Sequence, residues 1–262
     1  MRSLAAAITG PGLATGVERD GPMAAFAQRN MDHLGVGVKV IEGDALEGHK
    51  ARAPYDRVHS GIGVPCVPVP WVEQLAPGGR LLTTLVTRTP SWPGQLLVTR
   101  TVAGTIEAVL RGRARGYRPL LGYRWLDVLD HRARIKDDPG TARSTRLTPP
   151  PDEAYGFWLA AAYRAPGLVR DFKAETMTIV APDDDSWAVV GPDDGTVRVH
   201  GPRDVWAELE DLHSRWEQAG RPERYRVDFC DSSGLQHVTS GAGSKALSWT
   251  LPPLAAVPRQ LP

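Results

Sequence analysis

The strongest constraint on the fold is the alternation of β-prone and helix-prone segments over the first 86 residues. The predicted order is strand, helix, strand, strand, helix, strand, over residues 13–18, 22–34, 38–41, 55–58, 71–75 and 80–86. Asp20 stands where an N-cap would begin the first of these helices. Such alternation favours a parallel, doubly wound α/β sheet covered by helices, in which ligands bind at the carboxyl ends of the strands.

The pattern changes after residue 94. Residues 95–98 and 105–110 flank Ala103-Gly104 and predict an antiparallel hairpin that closes the sheet. We therefore place a first domain at residues 1–123 and a smaller α+β extension at residues 124–262.

The extension contains a stretch rich in proline, residues 137–152, which has the composition of a linker. A helix is predicted over 153–163, and an amphipathic helix over 203–219 ends at Gly220. Three β-prone segments lie between them, at residues 177–181, 186–190 and 196–200.

Composition excludes several classes of function. The chain has 262 residues, with 31 Lys and Arg against 30 Asp and Glu, so no single-sign charge recruits nucleic acid or anionic lipid. No apolar stretch is long enough to span a bilayer. Cys66 and Cys230 match no metal-ligand or redox spacing, so we expect two isolated thiols, no metal site and a cytoplasmic protein.

Four short segments together resemble the cofactor domain of the protein-L-isoaspartate O-methyltransferases. They are VERD at 17–20, GDA at 43–45, APYDRV at 53–58 and QLAPGGRLL at 74–82. The likeness covers roughly the first 110 to 120 residues. More weakly, DVWAELE at 204–210 and the turn at 220–222 are similar to the C-terminal extension of an actinobacterial branch of that family, several of whose members modify ribosomally made peptides.

The resemblance implies S-adenosylmethionine as cofactor and a protein or peptide with an (iso)aspartyl residue as substrate. The cofactor-binding residues that it implies are Glu18, Arg19, Gly43, Asp44, Ala45 and Ser60. A carboxylate at the end of the second strand of such a domain can accept two hydrogen bonds from a ribose diol, which assigns Glu18 to the ribose. Asp44 is assigned to the exocyclic amine of adenine.

Each assignment has a purely structural alternative. Glu18 can be a solvated carboxylate at a strand end, and Asp44 can serve only in a Gly-Asp turn. Ser60 is a candidate for the lip of the pocket, whereas Asp56 is interpreted as structural and His59 as structural or solvent-facing. No catalytic residue is assigned, because an acceptor carboxylate is already ionised at neutral pH and methyl transfer needs alignment rather than a base.

The resemblance also predicts a first strand and a Gly-rich loop that this sequence lacks. Residues 4–12 instead resemble the end of the helix that would follow that loop. We interpret the chain as N-terminally truncated, with a decayed gene as the alternative. In either case we expect weak or no cofactor binding by these 262 residues and weak or no activity.

A different class of function stays open. The chain can be an inactive remnant that binds or scaffolds peptides through Trp187, Trp206 and Trp216. Tryptophans at helical spacing are more often part of a core than of an interface, so this hypothesis ranks second. The sequence does not set the oligomeric state.

Overall fold

The computed structural model describes residues 12–89, 93–112, 118–119, 135, 138–173, 176–191, 195–229 and 234–254. In chain order the elements are β1 (Thr15–Glu18), α1 (Gly21–His33), β2 (Lys39–Glu42), β3 (Tyr55–Val64), α2 (Val69–Glu73), β4 (Leu75–Leu85), β5 (Gly94–Arg100), β6 (Ile106–Gly112), β7 (Arg118–Pro119), β8 (Thr141–Ser144), α3 (Tyr155–Arg164), β9 (Val169–Lys173), β10 (Thr176–Ala181), β11 (Ser186–Val190), β12 (Thr196–His200), α4 (Val205–Gln218), β13 (Arg224–Phe229), β14 (Gln236–Thr239) and β15 (Ser248–Thr250). The predicted mixed α/β class is confirmed.

The first unit is the strand–helix–strand motif β1–α1–β2. Its two strands pair in parallel from Thr15 opposite Lys39 to Glu18 opposite Glu42. The Asp20 side chain accepts a hydrogen bond from the Met23 N–H at 2.8 Å, so the predicted N-cap is confirmed. Gln28 on α1 ties the helix to β2, since its amide donates to the Val38 carbonyl and accepts from the Val40 N–H.

The main sheet has eight strands in the order β15-β14-β13-β6-β5-β4-β3-β7. Strand β3 pairs in parallel with β4 and with β7, and the other neighbours pair antiparallel. The predicted hairpin is confirmed as β5 and β6. Within the described residues β1 and β2 form a separate two-stranded sheet, so an incomplete doubly wound sheet remains a prediction.

Pro77, Gly78 and Gly79, residues typical of a turn, lie inside β4. Pairing of β3 with β4 shifts register there, from Tyr55 opposite Leu75 to Arg57 opposite Arg80. Gly78 has a positive φ of 79°. A Cβ at Gly79 would lie 2.7 Å from the Ala76 carbonyl oxygen and 2.8 Å from that of Tyr55. The two glycines therefore allow the strand to bulge at this point.

The C-terminal region adds a second sheet and completes the first. Strands β8-β12-β11-β10-β9 form an antiparallel sheet, and β13 pairs with β6 through Tyr225 opposite Leu110. Strands of the main sheet therefore come from both sides of residue 123, where we predicted a domain boundary. One continuous core extends from Leu46 to Leu251.

The proline-rich segment differs from a simple linker because β8 lies within it. Arg143 on β8 binds Asp204 at 2.6 Å and Glu210 at 2.9 Å, which are the N-cap and a side chain of α4. A short strand held by ion pairs leaves no apolar periodicity in the sequence. This is why composition alone indicated a linker.

The tryptophans of the binding-module hypothesis are buried. Trp206 and Trp216 project from α4 into the main core, and Trp187 lies in a smaller cluster with Val180. They therefore offer no exposed recognition surface. In the part of the chain that the structure describes, no helix combines the length and apolarity needed to cross a bilayer.

Gly156 provides a test of how α3 joins the main sheet. A Cβ at this position would overlap the Pro222 carbonyl oxygen, and the Gly156 carbonyl accepts a hydrogen bond from the Tyr225 hydroxyl. We expect Gly156→Ala to lower the free energy of unfolding by roughly 1–3 kcal/mol, because backbone must move to make room. Gly61→Ala is the matched control, since nothing lies within 4 Å of its added Cβ. Equal stabilities of the two variants in urea denaturation would contradict this packing.

Candidate functional site

The candidate site is the edge of the small parallel sheet where β1 and β2 end. Parallel strands present their carboxyl ends on one side, so the residues that follow them come together. The Gly43 N–H donates to the Glu18 carbonyl at 2.9 Å and ties the two strand ends directly. This bond brings two groups of predicted cofactor-binding residues to one edge: Glu18 and Arg19, and Gly43 to Ala45, which lie 24 to 27 residues further along the chain.

Glu18 is half-buried, and its carboxylate has a defined orientation. Its Oε1 accepts hydrogen bonds from the backbone N–H groups of Arg19 at 2.9 Å and Asp20 at 3.3 Å. These contacts hold the carboxylate beside the two residues that precede α1. Arg19 is exposed and contributes its backbone N–H to this arrangement.

Asp44 caps a short 3₁₀ turn, residues Ala45–Glu47. Its Oδ1 accepts from the Leu46 N–H at 2.9 Å, and the Leu46 side chain anchors the turn in the core. The turn role that sequence analysis offered as an alternative is therefore observed. The same contact fixes the carboxylate beside the end of β2, so it is compatible with a second role toward a ligand.

Two side chains to which the sequence analysis assigned no role hold the backbone after Asp44, and one of them, Gln74, lies in the QLAPGGRLL segment. The Trp71 indole N–H donates to the Ala45 carbonyl at 2.7 Å. The Gln74 amide donates to the Glu47 carbonyl at 2.8 Å and accepts from the His49 N–H at 2.9 Å. Both residues bind backbone groups, which carry no residue-type signal in a sequence.

Ser60 lies on β3, in the main sheet. Its hydroxyl donates to the Ile62 carbonyl at 2.8 Å and accepts from the Ile62 N–H at 3.2 Å, at an irregularity in the pairing between His59 and Gly63. Among the described residues no hydrogen bond joins it to Glu18 or Asp44. Its assignment to the pocket stays a prediction, and His59 and Asp56 are exposed.

Metal and thiol chemistry find no support in the described ranges. No group of three or more His, Cys, Asp or Glu side chains there is arranged to hold a metal ion. Burial raises the pKa of the Cys66 thiol to about 11, so it is protonated and unreactive at neutral pH. Cys230 lies outside the described residues.

The capping role of Asp44 can be measured separately from any ligand. Asp44→Ala removes the acceptor for the Leu46 N–H, and we expect it to lower the free energy of unfolding by about 1 kcal/mol. Asp44→Asn keeps an acceptor oxygen and should retain wild-type stability. Thermal unfolding of both variants checks this, and an unchanged melting temperature for Asp44→Ala would contradict the capping geometry.

Comparison with known proteins relates the N-terminal part of the chain to one protein family. Residues 3–90 match the model of the protein-L-isoaspartate(D-aspartate) O-methyltransferases. The enzyme named protein-L-isoaspartate O-methyltransferase of Pyrococcus abyssi is 40% identical over 111 residues, which are 42% of this chain and 50% of that protein. Its namesake in Thermococcus onnurineus is 46% identical over 68 residues, 25% of this chain and 31% of that protein.

Two solved structures also align, at low similarity. A protein-L-isoaspartate O-methyltransferase aligns with a TM-score of 0.38 and 19% identity, over 91% of this chain and 67% of its own. A putative protein-L-isoaspartate O-methyltransferase from Plasmodium falciparum, in complex with S-adenosyl-L-homocysteine, aligns with a TM-score of 0.33 and 17% identity, over 40% and 50%.

The relation therefore rests on sequence. The chain spans about half the length of the Pyrococcus abyssi relative that it matches. Residues 3–90 are similar to the protein-L-isoaspartate O-methyltransferase family, and the resemblance inferred from their motifs is confirmed.

Proposed function

We propose that this chain binds S-adenosylmethionine and serves in transfer of its methyl group to the carboxylate of an (iso)aspartyl residue in a protein or peptide. One observation carries the proposal. The Glu18 carboxylate and the Gly43–Ala45 segment lie at one edge of a parallel strand pair, within the segment related to enzymes of that name.

The residues present fit the nucleoside end of this cofactor. The Glu18 carboxylate, held by two backbone N–H groups, is suited to accept from the two ribose hydroxyls. At Gly43 an added Cβ would have a single neighbour within 4 Å, the Val17 Cγ1 at 3.7 Å. The fold therefore leaves space in which a flat base can approach the backbone beside Asp44.

The chemistry asks little of the protein beyond alignment. The cofactor would supply a methyl group on a sulfonium centre: the S–CH3 bond breaks, a carboxylate oxygen gains the methyl group as a methyl ester, and S-adenosylhomocysteine leaves as a neutral thioether. An ionised carboxylate with a reference pKa near 4 needs no base at neutral pH. The work of this chain is therefore to bind the nucleoside, fix its position and limit access of water.

Glu18→Gln tests the ribose contact. We expect the wild-type chain to bind S-adenosylhomocysteine weakly, with Kd on the order of 1 mM. The variant should bind at least roughly tenfold more weakly, because charge-assisted hydrogen bonds to the diol are lost. Titration followed by amide chemical shifts measures both, with shifts expected at residues 18–20 and 43–45.

Glu107→Gln is the matched control for this substitution. It removes the same charge from an exposed position on β6, in the eight-stranded main sheet, and should leave binding unchanged. The ribose assignment is wrong if Glu18→Gln binds as tightly as Glu107→Gln. Absence of any wild-type shift at millimolar ligand would overturn the cofactor proposal itself.

The substrate is tested with a pair of peptides that differ only at one linkage. The repair role predicts slow transfer of labelled methyl groups to an isoaspartyl peptide and none to its aspartyl twin. Transfer to the aspartyl form in one particular peptide would instead favour modification of a dedicated ribosomally made substrate. Labelling of neither peptide by the 262-residue chain would contradict methyl transfer by this chain.

A further inference from the structure

The segment that follows β2 is supported from one side by two buried side chains. We define residues 44–49 as the adenine loop, because they include Asp44 and Ala45, the positions proposed to face the base. The loop leaves β2, forms the 3₁₀ turn Ala45–Glu47 and reaches a second 3₁₀ turn at Lys50–Arg52. Its own residues supply one side-chain anchor to the core, Leu46.

Trp71 on α2 supports the first half of the adenine loop. The side chain is 4% exposed, and its indole N–H donates to the Ala45 carbonyl at 2.7 Å. A buried N–H without a partner raises the free energy of the folded state, so this bond is kept. It therefore holds the Ala45 carbonyl, and with it the peptide group between Ala45 and Leu46, in one place.

Gln74, three residues further on, supports the second half. It is 8% exposed, and its amide bonds the Glu47 carbonyl and the His49 N–H as donor and acceptor. Gly48 between them has a φ of 66°, and a Cβ there would lie 2.6 Å from the Gln74 Oε1. The backbone therefore wraps closely around this amide, and the contact has room only for glycine.

The same short segment also anchors the loop to the main sheet. The Gln74 carbonyl accepts from the Tyr55 N–H at 2.8 Å, and the Tyr55 hydroxyl donates to the His49 carbonyl at 2.6 Å. Thus the adenine loop is held from two sides, by the end of β2 where it begins and by the start of β3 and α2 along its length.

We propose that Trp71 and Gln74 are positioning residues that set selectivity for adenine over other purines, by fixing the loop that carries Asp44. The inference rests on the proposed function, in which Asp44 accepts from the exocyclic amine. Neither side chain touches the ligand in this account. Their effect is therefore on the choice of base and leaves the ribose contact of Glu18 intact.

The test compares S-adenosylhomocysteine with S-inosylhomocysteine, which carries a carbonyl oxygen where adenine has its amine. The wild-type chain should bind the adenine form about tenfold more tightly, since the inosine form loses a donor to a carboxylate. Trp71→Phe keeps an aromatic ring but loses the indole N–H. We expect it to reduce that ratio by roughly threefold or more, and Gln74→Glu, which loses the donor to the Glu47 carbonyl, to act in the same direction.

The matched control is Trp216→Phe, which removes an indole N–H bond of the same kind to the Pro222 carbonyl, at 3.1 Å, far along the chain. It should lower the melting temperature to a similar extent and leave the base ratio unchanged. Glu18→Gln should weaken both ligands equally, so its ratio also stays at the wild-type value. A merely structural role for Trp71 predicts that its variant behaves as Trp216→Phe does.

The outcomes separate the two proposals. If the wild-type chain binds neither nucleoside, the cofactor proposal fails. If it binds both and prefers adenine, but Trp71→Phe and Gln74→Glu keep that preference, the positioning proposal is wrong and the cofactor proposal stands. If it binds both equally, the Asp44 contact and the positioning proposal both fail. Loss of preference in both variants, with the preference kept in Trp216→Phe, supports the inference.

Discussion

The candidate site depends on the parallel pairing of β1 with β2. Parallel alignment is what places two residues distant in the chain at the same edge of a sheet, and the hydrogen bond from the Gly43 N–H to the Glu18 carbonyl closes the pair at that edge. An antiparallel pairing of the same strands would put Glu18 and Asp44 at opposite ends. The connecting helix α1 makes the parallel arrangement possible, and its start is set by Asp20.

Around this edge, backbone groups fix the orientation of charged side chains. Glu18 is held by N–H groups of the next two residues, and Asp44 by that of Leu46. Trp71 and Gln74 in turn fix the backbone of the loop after Asp44. The site is therefore built on two supports. The small sheet positions the side proposed for the ribose, and the edge of the main sheet supports the loop proposed to face the base.

Local patterns in the sequence predicted local elements well. The Asp20 cap and the apolar spacing of α4 identified both helices, and the strands at residues 186–190 and 196–200 have the predicted bounds. What the sequence could not show is long-range pairing. The residues of β13 alternate in burial, yet their partner β6 lies more than 100 residues earlier, and nothing local specifies that pairing.

The same distinction applies to the site. Glu18, Gly43 and Asp44 could be proposed from the sequence because they lie in the VERD and GDA segments at predicted strand ends. Trp71 and Gln74 could not, because each binds carbonyl or N–H groups that every residue has. Ser60 was inferred from the motif alone, and its hydroxyl is bonded to its own strand.

The most direct test of the central claim is a crystal structure of the chain with S-adenosylhomocysteine at high concentration. We expect the ribose hydroxyls within hydrogen-bond distance of the Glu18 carboxylate and the adenine beside Asp44. A nucleoside bound elsewhere on the molecule, with the edge formed by Glu18 and Gly43 facing solvent, would contradict it.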